Sequence, residues 1–280
     1  MTQLIGLAYN PTIGASCRLL EQARAWCDAS GVSHWDAPAG DRAGLVAHLP
    51  GTTSLVVLGG DGTFLRAAEA VAEVDVPIVG VNLGKVGFLS KAEASQLDGV
   101  LGCLRDGDYG LEERMMLESR VVRAGGAPDP GDHVALNDAA VVRGAQTRVV
   151  RLRVTIDGSH LATYTADGVI VATPTGSTAY SFSAGGPIVD PTGRNLVVTT
   201  VAAYLTAIRS IVVDPRRTVR VEVQAATSVL VSIDGHIEIP LAVGDVVEVR
   251  ARERPIRFIE PRGALAFWDL VRQKAQLLPS

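Results

Sequence analysis

Three short, almost uninterrupted apolar runs, residues 5–9, 54–58 and 77–83, restrict the fold more than any other feature of this sequence. They are rich in Val, Ile and Leu and lack polar alternation, as strands covered on both faces do. Between and after them, residues 17–30 (closed by Gly31), 42–49, 64–74 and 93–105 have helical spacing or composition. Alternating strands and helices imply right-handed parallel crossovers, hence a doubly wound parallel α/β domain over residues 1–112.

From about Met115 the pattern changes. Residues 151–156, 161–165, 169–173, 197–201, 219–223, 229–233 and 246–250 read as short strands. Asp157-Gly158, Asp167-Gly168, Asp234-Gly235 and Gly244-Asp245 punctuate them as turns. Strands without intervening helices predict a C-terminal antiparallel β domain, residues 113–263. A final helix over 264–278 has Trp268, Leu270, Val271 and Leu277 as its apolar positions. The residues alone leave it free to pack on either domain; we assign segment 264–280 to the N-terminal one.

Composition narrows the function. With 280 residues, 47% hydrophobic and 20% charged, the chain has the length of one large domain or two ordinary ones and can bury a sizeable core. No apolar run approaches the ~18 residues of a membrane helix, and the N-terminus lacks a basic stretch followed by an apolar one. A soluble, cytoplasmic protein with no membrane partner is expected. The net charge of −4 provides no basic footprint for nucleic acid. Cys17, Cys27 and Cys103 are widely spaced and form no CxxC pair, which argues against a disulfide framework and a thiolate zinc site and fits a reducing compartment.

Chemistry concentrates at Gly59-Gly60-Asp61-Gly62-Thr63, between a buried strand and the next helix. Small residues there let a ligand approach the backbone, and the helix start offers unpaired N–H groups and the positive end of its dipole to phosphate. An acid inside such a cradle repels phosphate unless it meets a metal or takes a proton. The plainer reading is a tight turn with Asp61 as helix cap. No GxGxxG occurs, and Gly84-Lys85 is followed by Val86 rather than Ser or Thr, so neither standard nucleotide loop is present.

Further motifs accompany this loop. Asn10-Pro11 follows the first strand, and Asn82-Leu-Gly84-Lys-Val-Gly87-Phe88-Leu89 follows the strand at 77–83. Glu113-Arg114-Met115-Met116-Leu117 stands at the domain junction and Leu136-Asn137-Asp138 in the β domain. The longest block contains Ala166-Asp167-Gly168-Val169, residues 173–181 (TPTGSTAYS) and Ser183-Ala184-Gly185-Gly186-Pro187-Ile188. In this order the motifs resemble the NAD kinase family over most of the chain. GGDGT alone is shared with lipid-kinase relatives; the TPTGSTAYS block is far more specific.

The resemblance implies transfer of the γ-phosphoryl of ATP, or of polyphosphate, to the 2′-hydroxyl of the adenosine ribose of NAD, with Mg²⁺ or another divalent cation bound with ATP. It makes Asp61 the catalytic carboxylate, also in contact with NAD. Gly59, Gly60, Gly62, Thr63 and Arg66 would serve the phosphates, with Gly62 also touching NAD. Asn137 and Asp138 would hold the ribose and adenine, and Asp167, Thr178, Ala179, Tyr180 and Ser183 would line the NAD pocket with Phe88 as an apolar wall. A homodimer or homotetramer is expected.

Alone, these residues have simpler readings. Asn137-Asp138 fits a turn before a strand, Asp167-Gly168 a hairpin, Phe88 a core aromatic, and 175–180 a helix start capped by Thr175 or Ser177. Arg66 and Lys85 flank the phosphate loops as phosphate contacts or as solvated charges; Arg209 and His236 are open in role. Where the family commonly carries a Pro-His pair, this chain has Thr200–Ser210 without it, which leaves NAD against NADH open. The competing functions are a GGDGT kinase for a lipid or sugar and a catalytically silent NAD(P)-binding sensor.

Overall fold

The computed structural model describes residues 3–84, 87–126, 129, 131–145, 148–204 and 208–276. The chain divides into two units, residues 1–113 with 256–280, and residues 114–255. Lys85 and residues 277–278 of the expected helix lie outside the described residues, as do 205–207 in the divergent segment.

The first unit begins as a repeated strand–helix succession. Its strands are β1 (Leu4–Tyr9), β2 (Ser33–Pro38), β3 (Ser54–Leu58), β4 (Ile78–Asn82), β5 (Ala92–Glu93) and β6 (Tyr109–Arg114). Its helices are α1 (Gly14–Ser30), α2 (Arg42–His48), α3 (Asp61–Val71) and α4 (Leu97–Asp106). The sheet runs β2-β1-β3-β4, and these four strands are parallel. Every position of β3 is buried, which explains its lack of polar residues. The helical signal over 93–105 resolves into a single 3₁₀ turn (Ala94–Gln96), begun by a capping box between Glu93 and Gln96, and then α4.

β2 escapes sequence reading because Ser33-His-Trp-Asp-Ala-Pro38 is not an apolar run. It is the edge strand, with most positions only half-buried, so it needs none. Trp35 takes the room that Gly6 leaves, since a Cβ there would stand 2.5 Å from Trp35 Cζ2. Its indole N–H donates to Thr52 Oγ1 at 2.9 Å.

The second unit holds two six-stranded sheets whose recorded pairings are antiparallel. In chain order its strands are β7 (Leu117–Val122), β8 (His133–Ala135), β9 (Asp138–Arg143), β10 (Val150–Ile156), β11 (Ser159–Ala166), β12 (Gly168–Ala172), β13 (Leu196–Val201), β14 (Ser210–Val213), β15 (Val219–Ala225), β16 (Val229–Ile233), β17 (Ile237–Leu241) and β18 (Val246–Ala251). One sheet runs β11-β10-β15-β18-β7-β8 and the other β14-β13-β12-β9-β16-β17. Alternate residues, such as Val150, Leu152 and Val154 of the first sheet and Val169 and Val171 of the second, share one core. β12 is buried on both faces because Ile170 and Ala172 meet Ala140 and Val197 on its far side.

Asp157-Gly158 and Asp234-Gly235 are hairpin turns with both residues at positive φ (48° and 82°; 48° and 70°). Asp167-Gly168 is not a hairpin. There the chain passes from β11 in one sheet to β12 in the other. Its glycine serves close approach, since a Cβ would stand 2.7 Å from the Val141 carbonyl. The helix-cap reading of 175–180 also gives way. Residues Thr175–Thr178 form a 3₁₀ turn without a side-chain cap, followed by the short α5 (Tyr180–Ser183).

The chain then returns to the first unit. β19 (Ile256–Pro261) pairs parallel with β4, and Phe258 packs on Phe64 at 5.0 Å between ring centroids. The boundary therefore falls after residue 255 rather than at 263, because Ile256, Phe258 and Ile259 suit any covered sheet and only pairing decides which. Helix α6 (Phe267–Gln276) follows.

Candidate active site

The strand order reverses direction between β1 and β3, since the chain goes from β1 outward to β2 and then returns to the other side of β1. A crevice opens beyond the carboxyl ends of two such strands, where open α/β sheets bind ligands. Here it is a cleft of about 490 Å³ lined by Tyr9, Asn10, Pro11, Thr12, Pro38, Ala39, Gly40, Asp41, Thr63 and Arg66. Ser16 ties its two strands together. The buried hydroxyl donates to the Leu58 carbonyl at 2.6 Å and accepts the Asn10 N–H at 2.9 Å. Ser16→Ala breaks both bonds and is expected to cost about 1–3 kcal/mol. The check is a lower urea midpoint at unchanged m-value.

Gly60 caps α3 in extended backbone, and its carbonyl accepts the N–H groups of Thr63 and Phe64 at 2.9 and 3.1 Å. Gly59 leaves room for Thr63, whose Oγ1 would lie 2.6 Å from any Cβ there. Gly62 is exposed. Arg66, also exposed, has no hydrogen bond or ion pair among the described residues and lines the cleft.

Asp61 opens α3, and its carboxyl rests against Gly87, whose missing side chain makes the space. Burial pushes this carboxyl above the usual carboxylate range. The backbone N–H groups of Leu89 and Phe88 and the charge of Lys274 pull it only part of the way back. Oδ1 is buried and accepts no hydrogen bond among the described residues. Such an oxygen is poised to receive a proton. Phe88 packs on Phe267 at 6.1 Å, with Lys274 Nζ 5.0 Å from its ring centre, so α6 braces this loop.

The second unit has its own cleft, about 670 Å³, on the outer face of β9 and β16. Asn137, Asp138, Ala179 and Tyr180 line it together with Arg143, Ser232, Asp234 and Glu238. Small side chains at the paired positions Ala140 and Ser232 keep its floor open. The TPTGSTAYS block holds the Asn137 turn from behind. Thr173 donates its N–H to the Asn137 carbonyl at 2.8 Å and its hydroxyl to the Leu136 carbonyl at 2.6 Å. Ser177 donates to the Pro174 carbonyl and accepts the Val189 N–H. Asp167 pairs with Arg143 at 2.8 Å. Tyr180 stands near both of these and Asp138, and burial, helped by Asp167 and Asp138, pushes its phenol up.

Profiles described as the ATP-NAD kinase N-terminal domain and the ATP-NAD kinase C-terminal domain match residues 17–109 and 136–261. An NAD kinase of Symbiobacterium thermophilum is 46% identical over 221 residues, 79% of this chain and 77% of that protein. The chain belongs to the NAD kinase family. A second NAD kinase, from Dehalococcoides mccartyi, is 34% identical over 262 residues, 94% of this chain and 92% of its own length. Among solved structures, the yeast NADH kinase complexed with NADH superposes with a TM-score of 0.83 at 25% identity, covering 99% of this chain and 87% of that one. An Archaeoglobus fulgidus NAD kinase in complex with ATP has the same fold, with a TM-score of 0.79 at 23% identity over 99% of this chain and all of that one. As a member of the family, this chain is an enzyme that phosphorylates NAD to NADP.

Among the residues expected to serve an NAD kinase, Asn137, Asp138, Ala179 and Tyr180 come together in one cleft, and Thr63 and Arg66 in the other. Thr178 and Ser183 do not line the second cleft. Their hydroxyls bond to the Thr175 and Ala179 carbonyls, at 3.1 and 3.5 Å. Arg209 is exposed, and its carbonyl accepts the Thr200 N–H at 3.0 Å. His236 sits in the turn beside Asp234. Sequence reasoning missed Ser16, Arg143 and Asp234 as parts of the sites. Asp234 carried a signal, an Asp-Gly hairpin opposite the Asn137 turn, but only pairing of β9 with β16 brings the two together.

Proposed function

We propose that this NAD kinase uses ATP as donor and transfers its γ-phosphoryl to the 2′-hydroxyl of the adenosine ribose of NAD, with Asp61 as the proton acceptor. The observation that carries the reading is the buried Oδ1 of Asp61, which accepts no hydrogen bond among the described residues, on a carboxyl whose proton affinity is raised. As the 2′-oxygen forms its bond to the γ-phosphorus and the bond to the ADP oxygen breaks, the hydroxyl proton passes to Asp61 Oδ1 and ADP leaves with the electron pair of the broken bond. Gly59, Gly60, Gly62 and Thr63 with Arg66 bind phosphate through helix-start amides and one guanidinium. Asn137, Asp138, Asp167, Ala179 and Tyr180 bind NAD, with Thr178, Ser183 and Phe88 in support.

The donor set suits a cation that arrives with the nucleotide. Among the described residues no three His, Cys, Asp or Glu side chains converge on one point, and Mg²⁺ is commonly held by phosphates and water. When bound, it neutralises charge on the transferring phosphoryl group. The open edge strand β14, with Val212 exposed and exposed Ile208 and Tyr204 preceding it in the chain, supports a homodimer or homotetramer. Among the described residues no helix is long and apolar enough to cross a membrane, and the three cysteines are free; we place the enzyme in the cytoplasm.

The test is incubation with NAD, ATP and Mg²⁺, with NADP read by an NADP-specific dehydrogenase, and polyphosphate and NADH substituted in parallel. Expected is NADP formation that requires ATP and stops when EDTA removes the cation. NADP from polyphosphate alone would overturn the donor assignment.

A further inference from the structure

Two carboxyls line the proposed NAD cleft, Asp138 buried and Asp234 half-buried, and their surroundings differ. Asp234 occupies the left-handed first position of the β16–β17 hairpin. Its carboxylate accepts three backbone N–H groups, from Leu136 at 2.8 Å, Asn137 at 2.8 Å and Asp138 at 3.0 Å. The Asp234 N–H donates in return to the Asp138 carbonyl at 3.0 Å. Three consecutive amides are thereby turned onto one side chain, and the turn's backbone is held from both ends by Asp234 and Thr173. Asp138, more than nine-tenths buried, lines the cleft, and neither an N–H donor nor a cation is recorded on its carboxyl among the described residues.

We infer that Asp234 is a positioning residue that fixes the Asn137–Asp138 turn in its binding geometry, and that Asp138 meets the ligand as a protonated carboxyl, donating a hydrogen bond to a ribose oxygen or a purine ring nitrogen. This rests on the cleft being the NAD site. Like charges in a shared buried site cannot both ionise, so one proton stays with the pair. Burial pushes both carboxyls up. At Asp234 three amides and the charge of His236 oppose it, whereas at Asp138 the charge of Asp234 adds to it and carries it to about 8. The proton therefore resides on Asp138. The other ionisable groups facing it are Tyr180 from α5, Arg143 from its own strand, already paired with Asp167, and Glu238 from β17.

Two consequences follow. Ionisation of Asp138 removes the donor and places a second negative charge in the cleft of a dinucleotide that itself carries diphosphate. An amide at position 234 keeps one acceptor oxygen and presents N–H groups to N–H groups.

The experiment measures KM for NAD and kcat from pH 6 to 10 in the wild type, Asp138→Asn and Asp234→Asn, with NAD binding followed by calorimetry. The wild-type KM is expected to rise above pH 8 by up to about tenfold per pH unit, as loss of one proton requires. Asp138→Asn, always neutral and always a donor, should lack that rise. Asp234→Asn should raise KM at least tenfold while kcat changes far less, a split that general loosening of the fold would not produce. A flat wild-type KM, or the same rise in Asp138→Asn, overturns the protonated state. An unchanged KM in folded Asp234→Asn, or equal loss of kcat, overturns the positioning role. Absence of NAD binding by the wild type refutes the site assignment itself and is a separate result. The wild-type pH series needs no variant, so a poorly folding Asp234→Asn leaves the protonation claim testable.

Discussion

Asp61→Asn lowers kcat about 10²–10⁴-fold, the usual worth of a positioned general base, while the protein becomes more resistant to heat. The two effects share one cause. Ionised Asp61 is held where burial disfavours charge and where Oδ1 has no donor among the described residues, so the folded state bears a cost that the unfolded chain escapes. The folded carboxyl binds its proton more tightly than the unfolded one. Its contribution to stability is therefore complete below the ordinary Asp value and lost as pH rises through the raised folded value. At neutral pH the cost is present and the neutral amide relieves it, as at many catalytic sites that trade stability for function. The shape is close enough for Gly87 to accept it. Circular dichroism melts at pH 7 beside single-turnover NADP formation provide the check. In the wild type, the acid limb of the kcat profile should have its midpoint above the usual Asp range. A variant that melts higher but turns over at the wild-type rate would remove Asp61 from the chemistry.

Gly176→Ala has the second large effect, for a steric reason. A Cβ at this position runs into the Asn137 backbone, with its carbonyl carbon 2.5 Å and its Cα 2.7 Å away. Backbone cannot rotate aside as a side chain can, and this turn is held by Asp234 and Thr173. Overpacking against a fixed wall costs about 1–3 kcal/mol or more, which for a chain of this size lowers the melting temperature by roughly 2–4 °C per kcal/mol. The displaced segment carries Asn137 and Asp138, so KM for NAD should rise with the loss of stability. Alanine at exposed Gly62, where a Cβ meets nothing within 4 Å, is the steric control for melting temperature. Equal melting curves for Gly176→Ala and the wild type would show that the TPTGSTAYS block and the Asn137 turn are not rigidly locked.

The two classes of strand were legible because burial leaves a local record. β3 is covered on both faces and β4 nearly so, and both show almost unbroken apolar runs, whereas β10 alternates Val150, Leu152 and Val154 with exposed Arg151 and Arg153. The GGDGT loop was legible for a similar reason, since the Thr63 side chain packs where a side chain at Gly59 would stand. β2 left no such record, being an edge strand that needs little apolar surface, and β19 left a record compatible with either unit.

From sequence alone came the strand and helix types, the place of GGDGT between β3 and α3, and the family through motifs in fixed order. These depend on neighbours a few residues apart. Tertiary structure decided which strands pair, that Asp167-Gly168 joins two sheets, that Ser16 clasps β1 to β3, and that Asp234, 96 residues beyond Asp138, holds the turn bearing it. It also decided which carboxyls are pushed toward holding a proton. Desolvation and the number of N–H donors around Asp61, Asp138 and Asp234 depend on chain segments brought together only on folding, and no spacing along the chain records them.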